Sequence, residues 1–312
     1  VYILDDNNKS LINEGEIDLL QLITELWNKK ALIIFLTTIA AIISVLYSLS
    51  LPNIYRSQAL LAPADSQSQG MSSSLGGLSS IAGIAGISIP GTGDAKKTEA
   101  IAILNSHQFL EEFINSHNLV VPIMASKGWD KESNKLIFNE KLYDAQKNQW
   151  LVKDGKDLKP SIQETVKKFR LMVSSSVDKK NGYLLIFADT YSPYISKQWV
   201  ELLIVDINKY IMEADVERAE KSLEYLNSQI NQTAIPELKQ VVAQLIKKEQ
   251  QTIMLSQSSP EYIFKVIDRP IVPELKLSPK RAIICIVGTI TGFLIAVALA
   301  LALIFRRQVI TT

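Results

Sequence analysis

The side chains best suited to catalysis or metal binding lie at spacings that favour neither. His107 and His117 are ten residues apart, and neither has a cysteine or a second histidine nearby, so no metal site is expected. Asp189, Asp206 and Glu213 are the best candidates for a catalytic acid pair, but their spacing is typical of solvated helix faces. The sequence contains no HExxH, GxSxG or paired-cysteine motif. We therefore predict a protein that is not an enzyme and uses no cofactor or metal.

A glycine- and serine-rich segment, residues 66–93, is the other place where chemistry could occur. Gly86 and Gly91 have the four-residue gap of a phosphate-binding P-loop, but Thr92 stands where that motif requires lysine. We interpret the segment as a flexible loop. A membrane enzyme with its site in this loop is the less favoured alternative.

Two uncharged apolar segments dominate the organisation of the chain. Residues 31–51 and 282–305 are each long enough to cross a hydrocarbon core of about 30 Å. The first follows an acidic and polar leader rather than a short basic region, so it is not a cleavable signal peptide. A pair of buried core helices is the alternative. The net charge of +1 gives no reason to expect a nucleic-acid partner.

The flanking charges indicate an orientation in the membrane. Lys29 and Lys30 precede the first segment, and only Arg56 follows nearby, which places the N-terminus in the cytoplasm. Two spans put both termini on the same side. The predicted organisation is a cytoplasmic leader at 1–30, a span at 31–51, an extracytoplasmic domain at 52–281, a span at 282–305 and a cytoplasmic tail at 306–312.

Small residues recur along one face of each apolar segment. In the second they are Gly288, Gly292 and Ala296, four residues apart, and the two glycines form a GxxxG motif. Ala40, Ser44 and Ser48 form the corresponding face of the first. Such faces allow close helix–helix contact in lipid. We predict that the two spans pair through them, although small residues are common in spans and their spacing can arise by chance.

The pattern between the spans predicts an α+β domain. Strands are expected at 54–62, 171–177, 183–188 and 261–268, and helices at 98–118, 136–148 and 161–169. Asn181-Gly182 is a tight-turn signal between the second and third strands. Strands near both ends of the domain can pair, which predicts a small α/β base beside the membrane.

Two long helical stretches complete this domain. The first starts at Pro193 and runs to about Ile230, and the second spans 236–256. Apolar residues spaced three and four apart favour packing along a heptad seam, which changes face near Asp215. A helical hairpin projecting from the membrane is predicted, with one kinked helix as the alternative.

The segment that leads into the second span is rich in proline. Pro270, Pro273 and Pro279 favour an extended conformation, and Lys280 precedes the span. The first span is preceded by IDLLQLITELWNKK and followed by LPNIYRSQALLAPA, and EYIFKVIDRPIVPE and then LSPKRAI lead into the second span. In these segments the chain resembles the Wzz chain length determinants, also called polysaccharide co-polymerases.

This resemblance implies a function that the residues alone do not specify. It implies a protein of the Gram-negative inner membrane with a periplasmic domain and a ring-shaped homo-oligomer. Such proteins set the modal chain length of O-antigen or a related surface polysaccharide, working with the Wzy polymerase on lipid-linked polysaccharide. The alternative is a membrane-anchored adaptor for capsule or exopolysaccharide export that works with a separately encoded kinase.

Overall fold

The computed structural model describes residues 12–13, 16–17, 24, 26–64, 92–232, 235–258 and 260–311. The chain divides into two compact units, one made of residues 1–53 and 277–312 and the other of residues 54–276. Most of the glycine- and serine-rich segment lies outside the described residues, as does most of the leader. Within the leader, β1 (Ile12–Asn13) pairs with β2 (Glu16–Ile17).

The first unit is built from two long apolar helices. These are α1 (Lys30–Ser50) and α8 (Arg281–Thr311), and both are long and apolar enough to cross a membrane. They pack antiparallel, and most of their large apolar side chains are exposed outside the contact between them. Exposed apolar side chains are unfavourable in water but suit lipid. The predicted second span ended at residue 305, whereas α8 continues through the predicted tail to Thr311.

The second unit contains a four-stranded antiparallel sheet made of β3 (Tyr55–Pro63), β10 (Val173–Val177), β11 (Leu184–Thr190) and β12 (Phe264–Asp268). The strands lie in the order β10-β11-β3-β12. The register pairs Ala59 with Ile186, and both are fully buried. The predicted strands are confirmed, and strands from opposite ends of the domain are neighbours because β3 pairs with β12.

Helices pack against one face of this sheet. They are α2 (Thr92–Leu104), α3 (His107–Ser116), α4 (Val120–Met124) and α5 (Ile162–Met172), with the first half of α6 (Pro193–Gln232). The core between them is built around Trp199, Phe113 and Phe169, each at most 2% exposed. The helix predicted at 98–118 is split, because the Ser106 hydroxyl caps α3 by accepting from the Phe109 amide.

The helix predicted over 136–148 is wrong. Residues 126–158, here called the β lobe, form three small antiparallel ladders instead. The lobe's strands are β4 (Ser126–Asp130), β5 (Lys135–Phe138), β6 (Tyr143–Asp144), β7 (Gln149–Trp150), β8 (Val152–Lys153) and β9 (Lys156–Asp157). Asn134, Asn148 and Gly155 adopt left-handed turn conformations, and the Asp144 carboxylate accepts from the amides of Gln146 and Lys147. These local turns compete with helix formation.

The two long helices form a hairpin. α6 has 40 residues, about 60 Å at 1.5 Å per residue, and α7 (Pro236–Ser258) packs back along it. Ala219 and Leu226 are buried in α6. The chain after α7 returns to the middle of α6, where the Tyr262 hydroxyl donates to Asp215. The hairpin interpretation is therefore confirmed, and the single kinked helix is excluded. We call residues 212–258 the helical hairpin.

Candidate functional site

The contact between α1 and α8 is built on glycine. A Cβ added to Gly292 would overlap the Cβ of Ala40, and one added to Gly288 would lie 2.6 Å from the Cβ of Ser44. Both positions therefore exclude every larger side chain unless the backbones separate. Close backbone approach between small residues is the usual basis of helix pairing in lipid.

Further along the same face, small residues are buried between the two helices. Ala296 and Ala300 are fully buried beside Ile33. The Ser44 hydroxyl donates to the Ile284 carbonyl at 3.0 Å, which links the two helices through a hydrogen bond. The structure thus places Gly288, Gly292 and Ala296 on one continuous contact face. Their role in pairing within a membrane remains a prediction.

The proline-rich motif that precedes the second span does not form a single cluster. Pro270 is buried and Pro273 is half-buried in the second unit, where the Ser57 hydroxyl donates to the neighbouring Ile271 carbonyl at 2.8 Å. Pro279 and Lys280 belong to the first unit, and the Lys280 carbonyl accepts from the amide of Ile283 in the first turn of α8. The motif lies in the segment between β12 and α8, and its functional role remains a prediction.

A buried carboxylate joins three elements where the helical hairpin leaves the core. Asp215 of α6 is 7% exposed and accepts from Lys96 of α2 at 2.8 Å and from the Tyr262 hydroxyl at 2.9 Å. Arg218 donates to its second oxygen at 3.2 Å. Because a buried carboxylate is costly without partners, this cluster favours one orientation of the hairpin. The sequence indicated only that the seam changes face near this position.

A second polar clamp lies deeper in the core. Asn208 is 2% exposed, and its side-chain oxygen accepts from the amides of Ile263 and Phe264 at 2.8 and 2.9 Å. Its amide nitrogen donates to the carbonyls of Ile204 and Phe264. The clamp ties the start of β12 to α6. Sequence reasoning missed it because an asparagine on a long polar helix gives no signal of burial.

The candidate acid pair does not form. Asp189 binds Arg56 through two hydrogen bonds of 2.7 Å, Asp206 contacts His117 at 2.7 Å, and Glu213 lies 3.8 Å from Lys209. Donating these hydrogen bonds to the Asp189 carboxylate raises the pKa of the Arg56 guanidinium. Each carboxylate thus has its own basic partner, and within the described part of the chain no three His, Cys, Asp or Glu side chains come together as a metal site.

The helical hairpin carries an exposed apolar stripe. Leu238, Val241 and Leu245 of α7 follow one another three and four residues apart, and all three are exposed. This spacing places them on one helix face, the arrangement by which helices pair in coiled coils. α7 packs on α6, and the stripe is exposed beside the half-buried positions Val242 and Ile246 of the same helix.

Comparisons with known proteins show a family match in the first part of the chain and structural matches to solved proteins. Residues 15–117 match the family model described as Wzz, chain length determinant protein. Among solved structures, a full-length bacterial polysaccharide co-polymerase is 14% identical, with 93% of this chain and 99% of that chain covered and a TM-score of 0.41. A fragment of WzzB, a polysaccharide co-polymerase from Salmonella Typhimurium, is 9% identical, with 72% and 100% covered and a TM-score of 0.32. No curated protein sequence gives a significant match.

The family match indicates the class of protein. It covers residues 15–117, about a third of the chain, and supports a Wzz-family polysaccharide co-polymerase. The predicted resemblance is confirmed. With two apolar helices on either side of an α+β domain in sequence, it is a membrane-anchored protein.

Proposed function

We propose that this protein is a non-enzymatic co-polymerase that sets the modal chain length of O-antigen or a related surface polysaccharide. It works with a Wzy-type polymerase on lipid-linked polysaccharide and assembles as a homo-oligomeric ring. The observation that carries this proposal is the Wzz domain, which includes the first apolar helix and the first strand of the sheet.

The proposed location is the bacterial inner membrane, with both termini in the cytoplasm. Lys29 and Lys30, at the start of α1, support this orientation, because basic residues favour the cytoplasmic side. Residues 52–281 then form the periplasmic domain. A rigid hairpin and a paired-helix anchor suit a protein that organises a polymerase rather than one that transfers sugars.

The proposal is tested on cells with and without the gene. Lipopolysaccharide separated on a gel is expected to show a cluster of bands at the modal length when the protein is present. Deletion should replace that cluster with a random distribution biased to short chains, and complementation should restore it. An unchanged ladder, together with unchanged capsule and exopolysaccharide sizes, would contradict the proposed function.

The exposed stripe on α7 supports assembly through the helical hairpin. Replacing both Leu238 and Leu245 with glutamate places two charges in the apolar contact, so we expect a loss of at least tenfold in oligomer affinity. Mass photometry of full-length protein in detergent would measure the subunit number. The band cluster should broaden in parallel.

A matched control uses exposed polar positions on the same helix. Replacing Gln244 and Gln251 with glutamate adds the same charge away from the stripe and should leave the subunit number unchanged. A stripe variant that keeps the wild-type mass would show that this face of α7 does not join the subunits.

A further inference from the structure

The β lobe is a structured part of the domain that the main core does not use. Among the described residues, none from 126–158 belongs to the main hydrophobic core. The lobe nevertheless holds Trp129 and Trp150, two of the four tryptophans of the chain, together with Phe138 and Tyr143. Aromatic side chains placed outside a core commonly serve recognition, because they combine a large apolar face with a polar edge.

Three rings from separate elements form a row at the edge of this lobe. Trp129 of β4 lies between Tyr55 of β3 and Tyr194 of α6, with ring centroids 5.8 Å and 6.2 Å away. Tyr194 is 51% exposed, while Trp129 and Tyr55 are half-buried. We call these three residues the aromatic row.

Contacts within the protein hold the geometry of the row. The Trp129 indole nitrogen donates to the Asn134 side-chain oxygen at 2.9 Å, and Tyr55 meets the indole edge-on at an interplanar angle of 80°. Tyr194 is placed by the first turn of α6, directly after Pro193. A preorganised surface of this kind loses little side-chain entropy when it binds.

Polar and charged groups surround the rings. Asp130 follows Trp129, and Ser133 donates to its carboxylate through both its amide and its hydroxyl. These hydrogen bonds, with one from the Glu132 amide, lower the pKa of Asp130, so it is an ionised acceptor at neutral pH. Lys127 and Asn134 are exposed nearby in sequence and supply donors.

This combination matches the chemistry of a sugar ring. One face of a pyranose carries C–H groups that pack on the electron-rich face of an aromatic ring, and its hydroxyls need hydrogen-bond partners at the rim. We propose that the aromatic row binds a sugar residue of the polysaccharide, an inference that rests on the proposed function for the identity of that ligand. A protein partner would be expected to need a larger aliphatic patch around the rings than these polar neighbours provide.

Binding can be measured with the full-length protein in lipid nanodiscs. The probe is the polysaccharide released by mild acid from lipopolysaccharide of the expressing cells, titrated while tryptophan fluorescence is recorded and confirmed by calorimetry. Trp129→Ala and Tyr194→Ala should each weaken binding about tenfold, because aromatic truncation at a contact has effects of that size. Trp129→Phe keeps a ring and should bind within about threefold of the wild type.

Tyr225→Ala is the matched control. Tyr225 is 63% exposed on the same helix as Tyr194 but belongs to the helical hairpin, so its removal should leave binding unchanged. Tyr194→Ala also tests the site with less risk of unfolding the domain, since a half-exposed tyrosine contributes less to stability than Trp129. Circular dichroism spectra should be identical to the wild type.

Several outcomes would overturn the inference. The first is failure of the wild type to bind the released polysaccharide. The second is that both alanine variants bind it as tightly as the wild type does. The third is that the alanine variants change the subunit number but not the binding affinity. A change in subunit number would show that the aromatic row lies in a contact between copies of this chain. If gene deletion alters the gel ladder while the row variants bind and function normally, the sugar site is wrong but the proposed function stands. If deletion alters no polysaccharide, the proposed function is wrong, and the binding titration still decides the site.

Discussion

Replacing Gly292 with leucine is expected to separate α1 from α8 and to lower the stability of the paired helices by about 3 kcal/mol. Even a Cβ at this position overlaps the Cβ of Ala40, so the leucine side chain has no space while the helices remain in contact. The helices must move apart, which also breaks the hydrogen bond from Ser44 to Ile284. In lipid no hydrophobic force compensates for lost packing.

The measurement is thermal melting of full-length protein in nanodiscs, with protease resistance of the two helices as a second readout. Ala298→Leu is the control, because it adds the same side chain to α8 at an exposed position. Its melting temperature should equal that of the wild type.

A size exchange across the contact provides a sharper test. Gly292→Ala alone should destabilise the pair by about 1 kcal/mol, and adding Ala40→Gly should restore much of the loss by moving the methyl group to the other helix. If the double variant is no better than the sum of the two single variants, the contact between these positions does not govern pairing.

Replacing Asn208 with alanine is expected to detach the start of β12 from α6. The substitution leaves the amides of Ile263 and Phe264 without their acceptor in a site that is 2% exposed. Each buried donor without a partner costs about 1–3 kcal/mol, so we expect a loss of about 3 kcal/mol. For a domain of this size that corresponds to a fall of roughly 8 °C in melting temperature.

Near-ultraviolet circular dichroism during heating would record the loss of packing around Trp199. Asn231→Ala is the matched control, since Asn231 makes its side-chain hydrogen bond to the Asn227 carbonyl on the exposed end of α6. Its effect should stay below about 0.5 kcal/mol. Equal melting temperatures for the two variants would show that the clamp contributes nothing beyond the surrounding apolar core.

Gly292 and Asn208 stabilise different parts of the structure, so their variants should affect the proposed function differently. Gly292 belongs to the anchor, whereas Asn208 holds the last strand of the sheet against the helix that continues into the hairpin. If hairpin contacts between copies set the polysaccharide length, loosening the clamp should broaden the band cluster in cells at temperatures where the protein is still inserted. The Gly292 variant should instead reduce the amount of assembled protein.

The sequence by itself determined the elements whose signals are local. Uninterrupted apolar length predicted α1 and α8, and Pro193 and Pro236 marked the starts of the two long helices. Alternating apolar residues and the Asn181-Gly182 turn predicted the β10–β11 pair. Spacing within one helix also predicted the small-residue face, since the period of a helix places every fourth residue on one side.

Only the tertiary structure decided which of these elements meet. Periodicity predicted that the two spans pair and that the long helices form a hairpin, but it does not give the register of a contact. The close approach of Gly292 to Ala40 therefore came only from the structure. The β lobe was mispredicted because its apolar residues fit a helical spacing, while asparagine and aspartate turns ended each short strand. The aromatic row, Asn208 and Asp215 make some hydrogen bonds within one helix or turn. Their ring contacts and long-range hydrogen bonds join residues separated by at least 47 positions in the chain. Such contacts form when the chain folds, because long-range packing outweighs local preference.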